Sequence, residues 1–241
     1  MDLQKASIMK RLAAWLLDAI LTAIVSVGFA VLLSVILRYD NHSETYRTKL
    51  ENHESQYGIM TQVSQEQYDA MSKAEQQSYN EIAGMSNLVF SLSLVMISGS
   101  ILLGILSTEF VVPLLLKNGQ TIGKKAFSIG LVKADGVKIN AMQLFVRALL
   151  GKYTIETMIP VYILVMFYFN VMDITGTFVL GGLLLAQLIC LAVSSTNSLI
   201  HDLLAGTVTV DIASQKIFGS TDELVAYTNR MHAEQAKKQD Y

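Results

Sequence analysis

The chain alternates long apolar runs with polar segments, and the length of these runs predicts helices that cross a membrane. An apolar stretch of about 20 residues spans a bilayer as a helix, because the helix pairs its own backbone polar groups. Four runs qualify, with approximate bounds Leu12–Leu37, Leu88–Leu116, Phe145–Phe169 and Phe178–Val193. The third is the least uniform, since Arg147, Lys152 and Glu156 fall in its first half. That half lies either in the membrane or at its interface.

Composition agrees with a multispan membrane protein, since 52% of the residues are hydrophobic and only 16% are charged. Cys190 is the single cysteine, so neither an internal disulfide nor a redox pair is available. The four histidines do not gather into a metal-binding spacing, and we expect neither a metal nor a cofactor. No basic patch interleaved with aromatic residues is present, which argues against a nucleic-acid partner.

Basic residues between the second and third runs predict the orientation. Residues 117–152 contain seven lysines and arginines and one acid, Asp135, so this segment is expected in the cytoplasm together with both termini. Residues 38–84 contain four basic and eight acidic residues, as expected outside. The first run is too long for a cleaved signal peptide and contains Asp18. The sequence predicts a multi-pass protein of the inner or plasma membrane.

Two polar segments have their own structural signals. The external insertion is rich in helix formers, and Ser64 to Gln67 match a capping box, so we expect two or more helices there. On the inner side, Ile129–Lys133 and Val137–Ile139 flank an Asp-Gly turn, which predicts a β-hairpin. Thr207–Ile212 alternates with period two and is expected to add a third strand.

The predicted fold is therefore an all-α transmembrane bundle of about four spans with a small cytoplasmic β-hairpin or sheet and an external helical insertion. The expected segments are 1–37 (N-terminus and first span), 38–86 (external insertion), 87–116 (second span), 117–144 (cytoplasmic loop with the hairpin), 145–196 (third and fourth spans) and 197–241 (cytoplasmic C-terminal segment).

Ionisable residues near the spans are the main functional clue, because charge at membrane depth is costly and is retained in bundle interiors or aqueous cavities. A helical rise of about 1.5 Å per residue places Asp18, Glu109 and Glu156 about 10–13 Å from the first charged residue at their cytoplasmic ends. These three carboxylates are predicted to share one level. A second tier nearer the cytoplasm would hold Arg11, Arg147 and Asp202. There Arg11 is expected to pair with Asp202, and Arg147 to reach towards Asp18.

Such a cluster supports two interpretations. Converging carboxylates hold an exchangeable proton or a small cation, which points to transport. Alternatively, the same arginine–carboxylate pairs lock the bundle together, and Glu109 and Glu156 are interfacial acids. The candidate residues for either role are Arg11, Asp18, Glu109, Arg147, Glu156, His201 and Asp202.

Enzymatic interpretations find little support. His201 is next to Asp202, but adjacent helical residues do not face one another, so we expect an interfacial or supporting histidine rather than a catalytic pair. An intramembrane protease built from Asp18 and Asp202 would lack the Gly-x-Gly-Asp signature of such enzymes. No serine or cysteine has an accompanying base. The sequence predicts a protein that is not an enzyme.

Three segments resemble the RDD family of membrane proteins, which is named for an arginine and two aspartates. They are Lys10–Asp18, Gly119–Lys125 with the Asp135-Gly136 turn, and Asn197–Thr207. The resemblance places the family residues at Arg11, Asp18 and Asp202, and it leaves the external insertion outside the family pattern. It implies transport, with cation/proton exchange suggested for some members.

The leading functional expectation is small-ion or small-solute transport, with cation/proton exchange as one form of it, through the intramembrane charges. The alternative is a non-enzymatic accessory or assembly subunit that binds a partner through its external insertion. The expected partners are the lipid bilayer, a small cation or proton, and a second copy of the chain or another membrane protein, because four spans are few for a transporter.

Overall fold

The computed structural model describes residues 6–59, 63–116, 119–168, 174–194 and 198–239 of the protein. These residues are mostly helical, with one small antiparallel sheet. Their contacts define two units, one formed by residues 1–25 with 101–241 and the other by residues 26–100.

Among the described residues, four helices are long and apolar enough to cross a bilayer, which confirms the predicted class of fold. They are Ile8–Ile36, Lys73–Leu115, Ala141–Tyr168 and Thr175–Val193. Large apolar side chains remain exposed along them, for example Ile24 at 63% and Leu184 at 68%, as expected for surfaces that face lipid. Phe169, the predicted end of the third run, lies outside the described residues.

The first span is the helix α1 (Ile8–Ile36), and the second is built from three segments. The second span consists of α4 (Lys73–Leu106), a π-helical turn π1 (Ser107–Val111) and α5 (Val112–Leu115). π-Helical segments are rare and occur frequently at functional sites. Here π1 contains Glu109, which is the acidic residue of the apolar run Leu88–Leu116.

The third span is continuous from Ala141 to Tyr168, so its charged first half and its apolar second half belong to one helical segment. It consists of α7 (Ala141–Val146), the π-helical segment π2 (Arg147–Met158) and α8 (Ile159–Tyr168). Asn140 caps its start by accepting from the backbone N–H of Gln143. The fourth span is α9 (Thr175–Val193).

Residues 26–100 include the predicted external insertion, whose described residues are mostly helical, as expected. The insertion contains α2 (Tyr39–Tyr57) and α3 (Gln65–Ala70), and α4 begins at Lys73. The predicted capping box is present, since Ser64 Oγ accepts from Gln67 N–H and Gln67 Oε1 accepts from Ser64 N–H. Lys49 pairs with Glu81 at 2.5 Å. Ile82 and His53 are buried in this unit, at 1% and 4% exposure.

The sheet has two strands, β1 (Ile129–Lys133) and β2 (Thr207–Asp211), paired antiparallel with Leu131 opposite Thr209. The prediction of three strands was therefore wrong. Val137 and Lys138 make only isolated bridges, to Phe218 and Val132 respectively. The second arm of the hairpin is too short to continue a ladder, because Asn140 follows it and starts the third span.

The unit of residues 1–25 and 101–241 has three further helices among its described residues. They are α6 (Ile122–Ala126), α10 (Ile200–Ala205) and α11 (Thr221–Gln239). The strand β1 directly follows α6, and β2 directly follows α10. The sheet therefore holds α6 and α10 at the ends of the spans, where both carry charged side chains towards the bundle.

Candidate functional site

Arg147 is the centre of a buried ion-pair network. Its side chain is 3% exposed, and it lies at the first position of π2. Nη1 donates to Glu109 Oε2 at 3.0 Å, and Nε donates to Asp202 Oδ1 at 3.0 Å. A planar guanidinium can bridge two carboxylates in this way, which a lysine cannot do with the same geometry. Arg147 thus links the second span to the third and to α10.

Glu109 is a buried carboxylate with three basic neighbours. Besides Arg147, the ammonium of Lys152 contacts its Oε1 and that of Lys124 lies 3.7 Å from its Oε2. The Lys124 distance is an ion pair but is too long for a hydrogen bond. The Glu109 side chain is 3% exposed, so protein groups surround this carboxylate almost completely.

Arg11 and Asp202 form the predicted ion pair, with Nη2 3.4 Å from Oδ2. Arg11 lies in the first turn of α1, and its side chain is 12% exposed against 1% for Asp202. Asp202 therefore receives two arginines, one on each carboxylate oxygen. The prediction that Arg147 reaches towards Asp18 was wrong, because helix rise gives a side chain's depth but not the direction in which it points.

Asp18 holds the start of α6. Its Oδ2 accepts from the Thr121 hydroxyl at 2.5 Å, and its Oδ1 accepts from the backbone N–H of Gly123 at 2.8 Å. A Cβ at position 123 would lie 2.3 Å from the carbonyl oxygen of Ala14, so only glycine permits this approach. Asp18 thereby fixes the position of Lys124 beside Glu109. It does so through hydrogen bonds and not as a member of the Glu109 contacts.

Glu156 forms a separate branch with His201 and Gln187. Its Oε1 lies 2.7 Å from His201 Nδ1 and accepts from Gln187 Nε2 at 2.7 Å. On its other side, His201 Nε2 lies 3.5 Å from Asp202 Oδ1. The expectation that His201 and Asp202 point apart was wrong, because Glu156 fixes the ring at one end and Arg147 fixes the carboxylate at the other.

The close packing of π2 against α10 fixes the position of His201. A Cβ at Gly151 would lie 2.4 Å from His201 Cβ, so a larger residue there would push α10 away from the third span. The carboxylates expected at one level are therefore divided among three sets of contacts: Glu109 with the basic cluster, Asp18 with α6, and Glu156 with His201.

A cavity of about 60 Å³ adjoins this network, next to the partners of Glu109 and Glu156 and not to these two carboxylates themselves. A water molecule needs roughly 10–15 Å³ on this scale, so there is room for a few waters or one small ion. The cavity is lined by, among others, the side chains of Arg11, Asp18, Lys124, Arg147, Lys152, His201 and Asp202. Together with Glu109 and Glu156, this makes four basic and four acidic side chains, so the charges balance when His201 is neutral.

Lys124 and His201, both outside the spans, have altered proton affinity. Burial, together with the charge of Arg147, lowers the pKa of Lys124 to about 8, although Glu109 acts to raise it. Burial also lowers the pKa of His201, against the opposing effect of Asp202. Near neutral pH, Lys124 is thus charged and His201 is neutral, and Lys124 gives up its proton at mildly alkaline pH.

Four residues of the site were not predicted from the sequence, namely Lys124, Lys152, Thr121 and Gln187. The two lysines contributed only to the predicted orientation, although Lys152 lies within the third apolar run, where a charge itself indicates a partner. Thr121 precedes a short helix as an N-cap residue does. Within the described ranges, no group of three or more acidic, histidine or cysteine side chains is arranged to hold a metal ion.

The fold and the charged cluster define a polytopic helical membrane protein. Residues 5–206 match the sequence model of the RDD family, and the chain therefore belongs to that family. Comparison with curated proteins and with solved structures found no match.

Proposed function

We propose that the protein exchanges a small monovalent cation for a proton, and that the exchange takes place beside Glu109. The observation that carries this proposal is the contact between Lys124 and Glu109. Lys124 is buried and lines the cavity, yet its ammonium lies 3.7 Å from the carboxylate without a hydrogen bond. Of the three basic groups around Glu109, it is the one held most loosely.

The charge balance of the cluster couples the two ions. A cation that enters the cavity while Lys124 is charged would leave the buried cluster with an excess positive charge, which is strongly unfavourable. When Lys124 loses its proton, the cluster is left with one net negative charge. A cation bound beside Glu109 then restores neutrality. Since the pKa of Lys124 is about 8, this loss occurs near physiological pH. The exchange is therefore one cation for one proton.

Proteoliposomes test this proposal. Addition of sodium or potassium should dissipate an imposed pH gradient. Cation affinity should rise with pH through about pH 8, where half of the Lys124 groups have lost their proton, and level off at higher pH. Glu109→Gln should abolish the signal, because it removes the charge that the cation neutralises. Lys49→Gln, in the other unit, is the control and should exchange normally. A signal that survives Glu109→Gln would defeat the proposal.

A second candidate function is that of an accessory subunit whose external insertion binds a protein partner. It is favoured by the side chains that this segment buries within its own unit, Ile82 and His53. Replacing residues 40–72 with a flexible linker should leave exchange intact if the protein is a transporter. Loss of a co-purifying protein, with no exchange by the intact chain, would favour the accessory role. Neither function is enzymatic.

We also propose that both termini face the cytoplasm of the inner or plasma membrane, supported by the excess of basic residues over 117–152. In a Cys190→Ser background, a cysteine at Ser55 should react with an impermeant thiol reagent in intact cells. A cysteine at Asp135 should react only after permeabilisation. The opposite pattern would reverse the orientation.

A further inference from the structure

We propose that His201 is the proton acceptor of the cavity and that Nε2 is the accepting atom. This inference rests on the proposed exchange function and adds to it the route by which the proton leaves. Its basis is the position of the imidazole, which lies between the carboxylates of Glu156 and Asp202 and lines the cavity with Lys124.

Glu156 determines the tautomer of the neutral ring. Its Oε1 lies 2.7 Å from Nδ1 of His201 and also accepts from Gln187 Nε2 at 2.7 Å and from the His201 backbone N–H at 3.3 Å. An ionised carboxylate only accepts hydrogen bonds, so Nδ1 must carry the hydrogen. Nε2 of the neutral ring then has a free lone pair.

That lone pair faces a second acceptor. Nε2 lies 3.5 Å from Asp202 Oδ1, which Arg147 already holds in place at 3.0 Å. Two acceptors that face one another at this distance repel each other slightly until a proton lies between them. A proton on Nε2 creates an imidazolium with a carboxylate at each end. The site is thus built to take up one proton.

The other groups around His201 make the protonated state transient. The carboxylates of Glu156 in π2 and Asp202 in α10 favour a charged ring, whereas Arg147 in π2 opposes it. Gln187, from α9, is neutral, and Lys124 and Lys152 face the same cavity. Burial is the largest of these influences and keeps the ring neutral at rest. A relay group needs this balance, because it must release the proton as readily as it accepts it.

The transfer moves one proton from Lys124 to His201 and from there to bulk water. One N–H bond of the Lys124 ammonium breaks, and its electron pair stays on the nitrogen. Water in the cavity passes the proton on, and an Nε2–H bond forms on His201. When that bond breaks again, the proton leaves to bulk water and the ring returns to its neutral Nδ1–H form. The ring cannot move far from this position, since Gly151 packs closely against the His201 backbone.

Nitrogen NMR on the full-length protein, labelled in its histidines, tests the tautomer. The four histidines give four pairs of ring-nitrogen signals, and the pair lost in His201→Gln identifies this residue. We expect a neutral ring near pH 7 with hydrogen on Nδ1, which takes up a proton on Nε2 on acidification. If the variant does not fold, replacing His42, His53 and His232 leaves His201 as the remaining signal. An Nε2–H tautomer, or a ring that does not titrate, would overturn the proposal.

The exchange assay supplies the second readout. His201→Gln should lower the maximal rate about tenfold or more, with an altered pH profile, because general acid–base groups commonly contribute at least this much. The cation concentration for half-maximal rate should not change, since Glu109 is untouched. His232→Gln, in α11, is the matched control and should behave like the wild type. Equal rates in both variants would overturn the role of His201 and leave the exchange proposal standing. A silent wild type would defeat the exchange proposal instead, and the NMR titration would then decide the role of His201 alone.

Discussion

Substitution of Gly123 by alanine should disrupt the contact on which the position of Lys124 depends. The added Cβ would lie 2.3 Å from the Ala14 carbonyl oxygen and 2.9 Å from Asp18 Cγ. Ordinary contacts begin near 3.4 Å, so α6 must retreat from α1 by about 1 Å. That movement would stretch the 2.8 Å hydrogen bond from the Gly123 N–H to Asp18 beyond hydrogen-bonding distance.

The energetic cost has two parts. Overpacking costs about 1–3 kcal/mol, and a lost hydrogen bond to a buried carboxylate costs about 1.5–3 kcal/mol. The higher helix propensity of alanine offsets about 1 kcal/mol of this loss in stability. A net loss of about 3 kcal/mol corresponds to a decrease in melting temperature of about 6–12 °C for a chain of this size. Exchange should also fail, because Lys124 moves with α6.

Melting of the purified variant in detergent measures this effect. Gly28→Ala, also in a helix but with open space around the added Cβ, is the matched control and should melt at or slightly above the wild-type temperature. A Gly123→Ala variant that melts within about 2 °C of the wild type would refute the reasoning, since 1 kcal/mol alone shifts melting by about that much.

Two further predictions concern α10. Gly151→Ala should lower the melting temperature and the exchange rate together, because its Cβ would lie 2.4 Å from that of His201; unchanged melting would contradict this packing. Asp202→Asn should destabilise the protein by about 3–5 kcal/mol and Arg11→Gln by less, since Asp202 pairs with two arginines and Arg11 is the more exposed partner. In a double-mutant cycle their losses should be less than additive, and strict additivity would argue against the pair.

The spans and one ion pair could be predicted from the sequence because each depends on a one-dimensional signal. Apolar length is sufficient to locate the spans, and depth from helix rise was sufficient to bring Arg11 to Asp202. The partners of Arg147 could not be predicted in this way. Its direction depends on π2, and nothing in the residue order distinguishes a π-helical segment from an α-helix.

The lysines around Glu109 were missed for a related reason. Lys124 reaches the cluster only because Asp18 and Gly123 dock α6 against α1, and that contact joins residues 105 positions apart. The extra strand was predicted because the hairpin signal of Asp135-Gly136 is local. The strand that pairs with β1 instead comes from Thr207–Asp211. Tertiary packing, and not local propensity, decided both outcomes.

The most direct test of the central claim is to measure protons released when a cation binds. Sodium or potassium is added to the purified protein in weakly buffered solution near pH 7.5, and the pH change is recorded. Cation binding should release about one proton per chain from Lys124, and the release should disappear in Lys124→Met and Glu109→Gln. Cation binding without proton release, or an undiminished release from Lys124→Met, would contradict the exchange of a cation for the Lys124 proton.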